Sequence, residues 1–193
     1  MKPPTRIARF ASIAGALALL MSLASCLPVP LGDPEKSQVD PKLTGVWHFK
    51  QDDGGTLIAI APADSHTYVI QMLDYKKAAD GPTAGKSTVL RGWLTEIKGE
   101  RFITGEMMAQ MVDPTTTRKD YAIFRLRMKP EGAEITGLAE KYDGFKDVND
   151  AAALAKVIEA NLNDPTMYTE SSTFVHLDPA KEADQPLIGL ISR

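Results

Sequence analysis

From residue 43 onward, apolar and polar side chains alternate with a period of two, the pattern of half-buried antiparallel strands. Leu43, Gly45, Trp47 and Phe49 fall on one face, and Thr44, Val46, His48 and Lys50 on the other. Further strands are expected over 56–61, 67–74, 88–97, 101–108, 120–128 and 134–140, which makes seven in up-and-down order. Turn chemistry separates them: Asp52-Asp53-Gly54-Gly55, whose glycines are free to take positive φ, then 62–65, Lys98-Gly99-Glu100 and Pro130-Glu131-Gly132. Two longer loops are expected, one over 75–87 around Gly81-Pro82 and Gly85, the other through 113–117. Near Asp147 the period changes. Val148, Ala152, Ala155, Ile158 and Leu162 recur at helical spacing, predicting a helix over about 148–162, capped by Asp147 or Asn149 and ended by Asn163-Asp164-Pro165. A last strand over 172–177 puts Phe174 and His176 on one face, and an apolar tail at 187–191 either docks as an edge strand or stays loose. The fold class is therefore mainly β: an antiparallel up-and-down barrel of about 7–8 strands, with one helix before the last. A barrel of that size is filled by its own side chains or holds one small ligand.

The residues before this pattern carry a different signal. Lys2, Arg6 and Arg9 precede an apolar run over 10–20, and small Ser22, Ala24 and Ser25 lead to Cys26, the one cysteine of the 193 residues. A basic head, an apolar middle and a small-residue exit make a secretory signal; the run is short of the about 20 residues that span a bilayer. An uncleaved anchor, or a signal cut elsewhere, is the plainer alternative. Leu23-Ala24-Ser25-Cys26 resembles the lipobox of bacterial lipoproteins. That resemblance implies cleavage before Cys26, acylation of its thiol (palmitate among the chains) and anchoring to an envelope membrane. Leu27 stands where an Asp would, by the enteric sorting rule, retain a lipoprotein at the inner membrane, so the outer membrane facing the periplasm is implied. On this reading residues 1–25 are the signal peptide. Residues 26–42 are the lipidated cysteine and a tether containing Pro28, Pro30, Pro34 and Pro41, and 43–193 the barrel domain.

Loss of the first 25 residues removes three basic and no acidic side chains, leaving 19 basic against 25 acidic, a formal charge of −6. An acidic body argues against nucleic acid, whose affinity comes mainly from neutralised phosphates. It argues equally against electrostatic adhesion to anionic lipid, which leaves the acyl chains to hold the protein. A single cysteine excludes an intramolecular disulfide, so stability must come from the core.

Gly45-Val46-Trp47 on the first strand resembles the Gly-x-Trp signature of lipocalins, and Asp120-Tyr121 resembles part of their Thr-Asp-Tyr motif. The late helix and the strand after it also fall where lipocalins place theirs. The resemblance implies that Trp47 packs under a late-strand arginine at the closed end of the barrel, with Arg125 and Arg127 both open as equivalents. The chain departs from the pattern in three respects: Lys119 replaces the threonine, no disulfide is available, and one strand fewer precedes the helix.

Catalytic chemistry finds no local support. His48, His66 and His176 are scattered singly, with His48 on the solvated face, so no metal site is expected. Ser65-His66 and Ser171-Ser172 lack nucleophile-elbow glycines, Asp52-Asp53-Gly54 reads as a turn, and no phosphate-cradling glycine loop occurs, so no cofactor is expected. Two features admit a ligand-binding role. Met107, Met108 and Met111 cluster at a strand end, suited to an adaptable apolar pocket or to ordinary packing. Arg91 shares a face with Trp93, either stacked on it outside the barrel or meeting a ligand inside. The expected function is a lipid-anchored, non-enzymatic binder of a small apolar or amphipathic molecule. The alternative is a filled barrel that engages another envelope protein.

Overall fold

The computed structural model of the chain describes residues 26–108 and 120–192. The expected signal segment, the loop at 113–117 and Met111 lie outside the described residues. Strands β2 (Gly45–Gln51), β3 (Gly54–Pro62), β4 (Tyr68–Ala78), β5 (Gly81–Ile97), β6 (Glu100–Met107), β7 (Tyr121–Lys129), β8 (Gly132–Leu138) and β9 (Tyr168–His176) follow one another antiparallel. β9 returns to pair with β2 and closes an eight-stranded barrel. A two-residue strand, β1 (Cys26–Leu27), stands outside the ring and pairs with the start of β7. Helix α1 (Ala151–Ala160) lies between β8 and β9, and α2 (Gln185–Ile191) follows β9.

The inward positions form one apolar core that includes Trp47, Ile58, Ile70, Leu90, Ile103, Leu126 and Phe174. Much of the outer face is buried as well. On β5–β7 the outward Trp93, Phe102 and Ile123 are covered by the amino-terminal segment and by Leu154 and Ile158 of α1. On β3–β4 the outward Leu57, Leu73 and Tyr75 pack with Leu177, just after β9, and with Leu190 of α2. The wall is thus apolar on both sides over much of its circumference, which is why the alternation is cleanest on β2.

Several expectations are corrected. The stretch 75–87 is no loop: β4 and β5 continue through it as a long hairpin that turns at residues 79 and 80, with a bulge between Leu73 and Tyr75. Pro82 fits because β6 reaches only as far as Leu90, so Pro82 needs no donor on that side. In the first hairpin the turn is Asp52-Asp53, and Gly54 opens β3 instead, where a Cβ would stand 2.1 Å from the Tyr75 carbonyl oxygen. The helix cap is Asp150, whose carboxylate accepts from the Ala153 N–H at 2.7 Å, rather than Asp147 or Asn149. The tail at 187–191 is helical. Pro186 sits in its first turn, and Leu187, Ile188 and Ile191 pack beside Leu190.

The largest difference concerns residues 27–42, expected as an extended tether, and Leu43, expected to open the first strand. They form a strap laid along the barrel. Leu27 and Leu31 are buried, Leu31 completely. The Leu31 carbonyl accepts from Trp93 Nε1 at 2.8 Å, Thr104 Oγ1 at 3.0 Å and Thr95 Oγ1 at 3.2 Å. Ser37 Oγ accepts from the Leu94 N–H at 2.9 Å, at a point of β5 beyond its last pairing with β4. The strap then crosses the base of the barrel, where the Asp40 N–H donates to the Tyr68 hydroxyl at 2.5 Å and Asp40 pairs with Arg101 at 2.8 Å. Leu43, 1% exposed, closes the floor. Prolines stiffen such a segment but do not prevent docking when its leucines and carbonyls find partners.

Two outcomes check this arrangement. Leu31→Ala should lower the unfolding free energy in urea by about 2–5 kcal/mol, as for other fully buried leucines. The exposed Glu35→Ala should stay within about 0.5 kcal/mol of the parent; a silent Leu31→Ala would return the strap to a loose tether. The second concerns acid. Burial pushes the Asp40 carboxyl up, but the Lys42 N–H and the Arg101 guanidinium outweigh it and hold the pKa below the usual value. A depressed folded pKa gives stability that is present above about pH 4 and lost as pH falls through the lowered value. Asp40→Asn should therefore be less stable than the parent near neutrality, and the gap in urea midpoint should shrink below about pH 4.

Candidate ligand cavity

The inward side chains do not fill the barrel. They leave a cavity of about 80 Å³, lined by Trp47, Ile58, Ile70, Met72, Leu90, Phe124, Leu126 and Phe174 among others, with Leu43 as its floor. A water needs about 10–15 Å³ on this scale and two to four polar partners. The space is large enough for several atoms of an apolar guest and offers water few partners. Its polar lining comes from one place, Thr169, Glu170 and Ser172 on β9. Glu170 is exposed, so the cavity reaches solvent there.

A bulge creates this polar edge. Opposite β8, the register of β9 slips between Thr136 and Leu138. The one extra residue on β9 brings both Thr169 and Glu170 to the cavity, although neighbours on a regular strand face opposite ways. Thr169 Oγ1 accepts from the Gly137 N–H at 3.1 Å, satisfying a donor that the bulge leaves without its ladder partner. Beside it the wall is poorly closed: β2 and β9 share only the pairs Trp47↔His176 and His48↔Val175.

At the base, Gly45 and Trp47 act together. Trp47 Nε1 donates to the Leu43 carbonyl at 2.9 Å, and the ring meets that of His176 edge-on at 4.8 Å. Gly45 adopts φ +128, and a Cβ there would lie 2.3 Å from His176 Nε2. The Gly-x-Trp pattern is explained by this histidine, which needs a bare backbone under it. The arginine expected over Trp47 is not found. Arg125 points outward, its guanidinium 3.7 Å above the Tyr168 ring, and Arg127 is outward too, bonded to both Glu100 oxygens at 2.6 and 3.0 Å.

The other singled-out residues disperse. Trp93 is 2% exposed but lies outside the barrel under Leu31, and Arg91 shares its outward face, so neither lines the cavity. Met107 is half-buried against the inner core at the end of β6, and Met108 is exposed. Asp120 immediately precedes β7, and Tyr121, its first residue, is buried beside Trp93 at a ring distance of 6.1 Å. His48, expected to be solvated, is half-buried, with Nε2 2.7 Å from the Tyr75 hydroxyl. Burial, then Lys50, hold its pKa below the ordinary value. His66 Nδ1 contacts the Ser37 carbonyl at 2.7 Å, and among the described residues no group of three or more His, Cys, Asp or Glu could hold a metal.

Thr169 and Glu170 escape sequence reasoning because the strand is expected to start only at Ser172. The signal that could have found them is the polar run Thr169-Glu170-Ser171-Ser172 ahead of Phe174. No protein-family model, curated protein or solved structure matches this chain, so the reading of the site rests on its geometry.

The chain has two tryptophans, one lining the cavity and one outside it, which gives a clean test. A brominated alkane taken into the barrel should quench the emission of Trp47 and spare Trp93. Quenching should survive in Trp93→Phe and vanish in Trp47→Phe; the reverse pattern would put the apolar site on the outer wall.

Proposed function

We propose that this protein is a lipid-anchored bacterial envelope lipoprotein whose barrel binds a small apolar or amphipathic molecule, without catalysing a reaction. The observation that carries the binding role is the hollow interior, apolar throughout except for one polar edge. Sites for small molecules combine an enclosed apolar surface with a few polar groups that orient the guest, and Trp47, Met72, Phe124 and Phe174 with Glu170 and Ser172 provide that combination.

The anchor rests on Leu23-Ala24-Ser25-Cys26 and on Cys26 being the chain's one thiol. Acyl chains contribute about 0.8 kcal/mol per buried methylene, and several chains together hold a protein firmly. Leu27 after the cysteine supports the outer membrane, facing the periplasm. The strap supports a particular posture. Cys26 pairs with Ala122 at the start of β7, the same end of the barrel as Leu138 and Tyr168, where the polar edge begins. With the following residues docked on the wall, no free spacer separates an acylated Cys26 from the barrel. The mouth then lies close to the bilayer surface, where an amphipathic guest is most concentrated.

Cys26→Ser should abolish acylation and move the protein from the membrane to the soluble fraction; unchanged partitioning would refute the anchor. Native mass spectrometry of the soluble domain, prepared without detergent, should show an added small-molecule mass. That mass should disappear when a bulky residue replaces Ala133 on the cavity wall. Bare protein across independent preparations, with no apolar probe taken up, would refute the binder.

A further inference from the structure

Glu170 is the one charged side chain on the cavity lining, and among the described residues no cation pairs with it. Of the strands flanking β9, β8 carries no cation and Lys50 of β2 lies on the outward face, opposite Trp47 and Phe49. The cations of β7, one strand further, are engaged elsewhere: Arg127 by Glu100, Lys129 by Glu134, and Arg125 over Tyr168 with a bond to the Leu162 carbonyl. The Thr169 hydroxyl is taken up by the bulge, which leaves the Glu170 carboxylate and the Ser172 hydroxyl as polar groups available to a guest. An ionised carboxylate only accepts hydrogen bonds. A guest whose polar end is itself a carboxylate or phosphate would meet repulsion with no compensating cation. One that ends in an ammonium group gains a charge-assisted bond.

There is room for such a headgroup. β9 is bonded to β2 only at Val175 and His176, so the edge from Tyr168 to Thr173 has no partner on the β2 side. Glu170 and Ser172 stand on that open edge, directly above the apolar lining. An alkyl chain in the barrel would therefore carry its polar end to the gap between the strands, beside the carboxylate.

We infer that the barrel selects single-chain amphiphiles with a cationic amine headgroup, held by Glu170, and rejects their anionic counterparts. This rests on the proposed role of the cavity as a binding site and adds the chemistry of its guest. It separates the protein's guest from free fatty acids, which share the same apolar tail.

Calorimetric titration of the full-length Cys26→Ser protein with octylamine, octanol and octanoate, which share a tail and differ in the headgroup, tests it. Octylamine should bind tightest and octanoate weakest, with about a tenfold gap between them at low salt, the scale of one charge-assisted bond. Added salt should narrow the gap, because charges near water are screened. Glu170→Gln, a change at an exposed position, should still take up octanol while losing most of the preference for octylamine over octanoate. Equal binding of the three probes, or a preference that survives in Glu170→Gln, would overturn the inference and leave the apolar binder standing. Failure of all three to bind would remove both.

Discussion

The closure of β9 onto β2 is the constraint on which the rest of the molecule depends. It consists of two residue pairs and one further bond, from the Leu177 N–H to the Val46 carbonyl at 2.8 Å. So short a ladder would be weak alone. Side chains reinforce it: His176 sits against Trp47 and over Gly45, and the rings of Phe49 and Phe174 lie 5.4 Å apart across the seam. Closure at the base makes a barrel of what would otherwise be a sheet with two open edges. The lack of pairing above it leaves the wall open beside Glu170. One feature thus both encloses the apolar interior and gives access to it.

The strap completes the wall from outside. A carbonyl has two lone pairs, yet that of Leu31 gathers three donors from two adjacent strands, which binds β5 and β6 to the same point. Trp93 and Thr104 are buried under it, so their polar atoms would be costly to leave unbonded. This explains why a segment rich in proline lies flat on the barrel. Its hydrogen bonds to the barrel come from the Leu31 carbonyl, the Ser37 hydroxyl, the Asp40 carboxylate and the N–H groups of Val39 and Asp40, none of which its prolines remove. The same segment then turns under the barrel to supply the floor, so the cavity owes one of its boundaries to residues outside the strands.

How much of this was legible in the sequence depended on whether a face met water. β2 and the inner halves of the other strands alternate cleanly, and the strand order and the helix before the last strand could be read from them. Trp47 was identified as buried on the correct face for the same reason. The long hairpin was missed because Gly81, Pro82 and Gly85 are breakers in a central strand but are tolerated on an unpaired edge. The terminal helix was missed because a five-residue apolar run does not distinguish helix from strand. The face carrying Arg91 and Trp93 was ambiguous since both sides of β5 are apolar, and only the strap decides which is inside. Glu170 was invisible because the polar run ahead of Ser172 gives no apolar alternation, although on the longer strand it shares the inward parity of Ser172 and Phe174.

A hollow interior is itself an argument about use. Apolar space that side chains do not fill forgoes packing contacts: a sealed void of about 80 Å³ would cost about 2 kcal/mol at about 24 cal/mol per Å³, and one that opens to solvent at Glu170 costs less. A larger side chain at Ala133, on the lining, would have filled part of the space within the same barrel. The strap, α1 and α2 supply apolar burial on the outer wall that offsets the loss without closing the interior. Stability in this protein is therefore built outward from the sheet, and the barrel keeps an unfilled apolar interior.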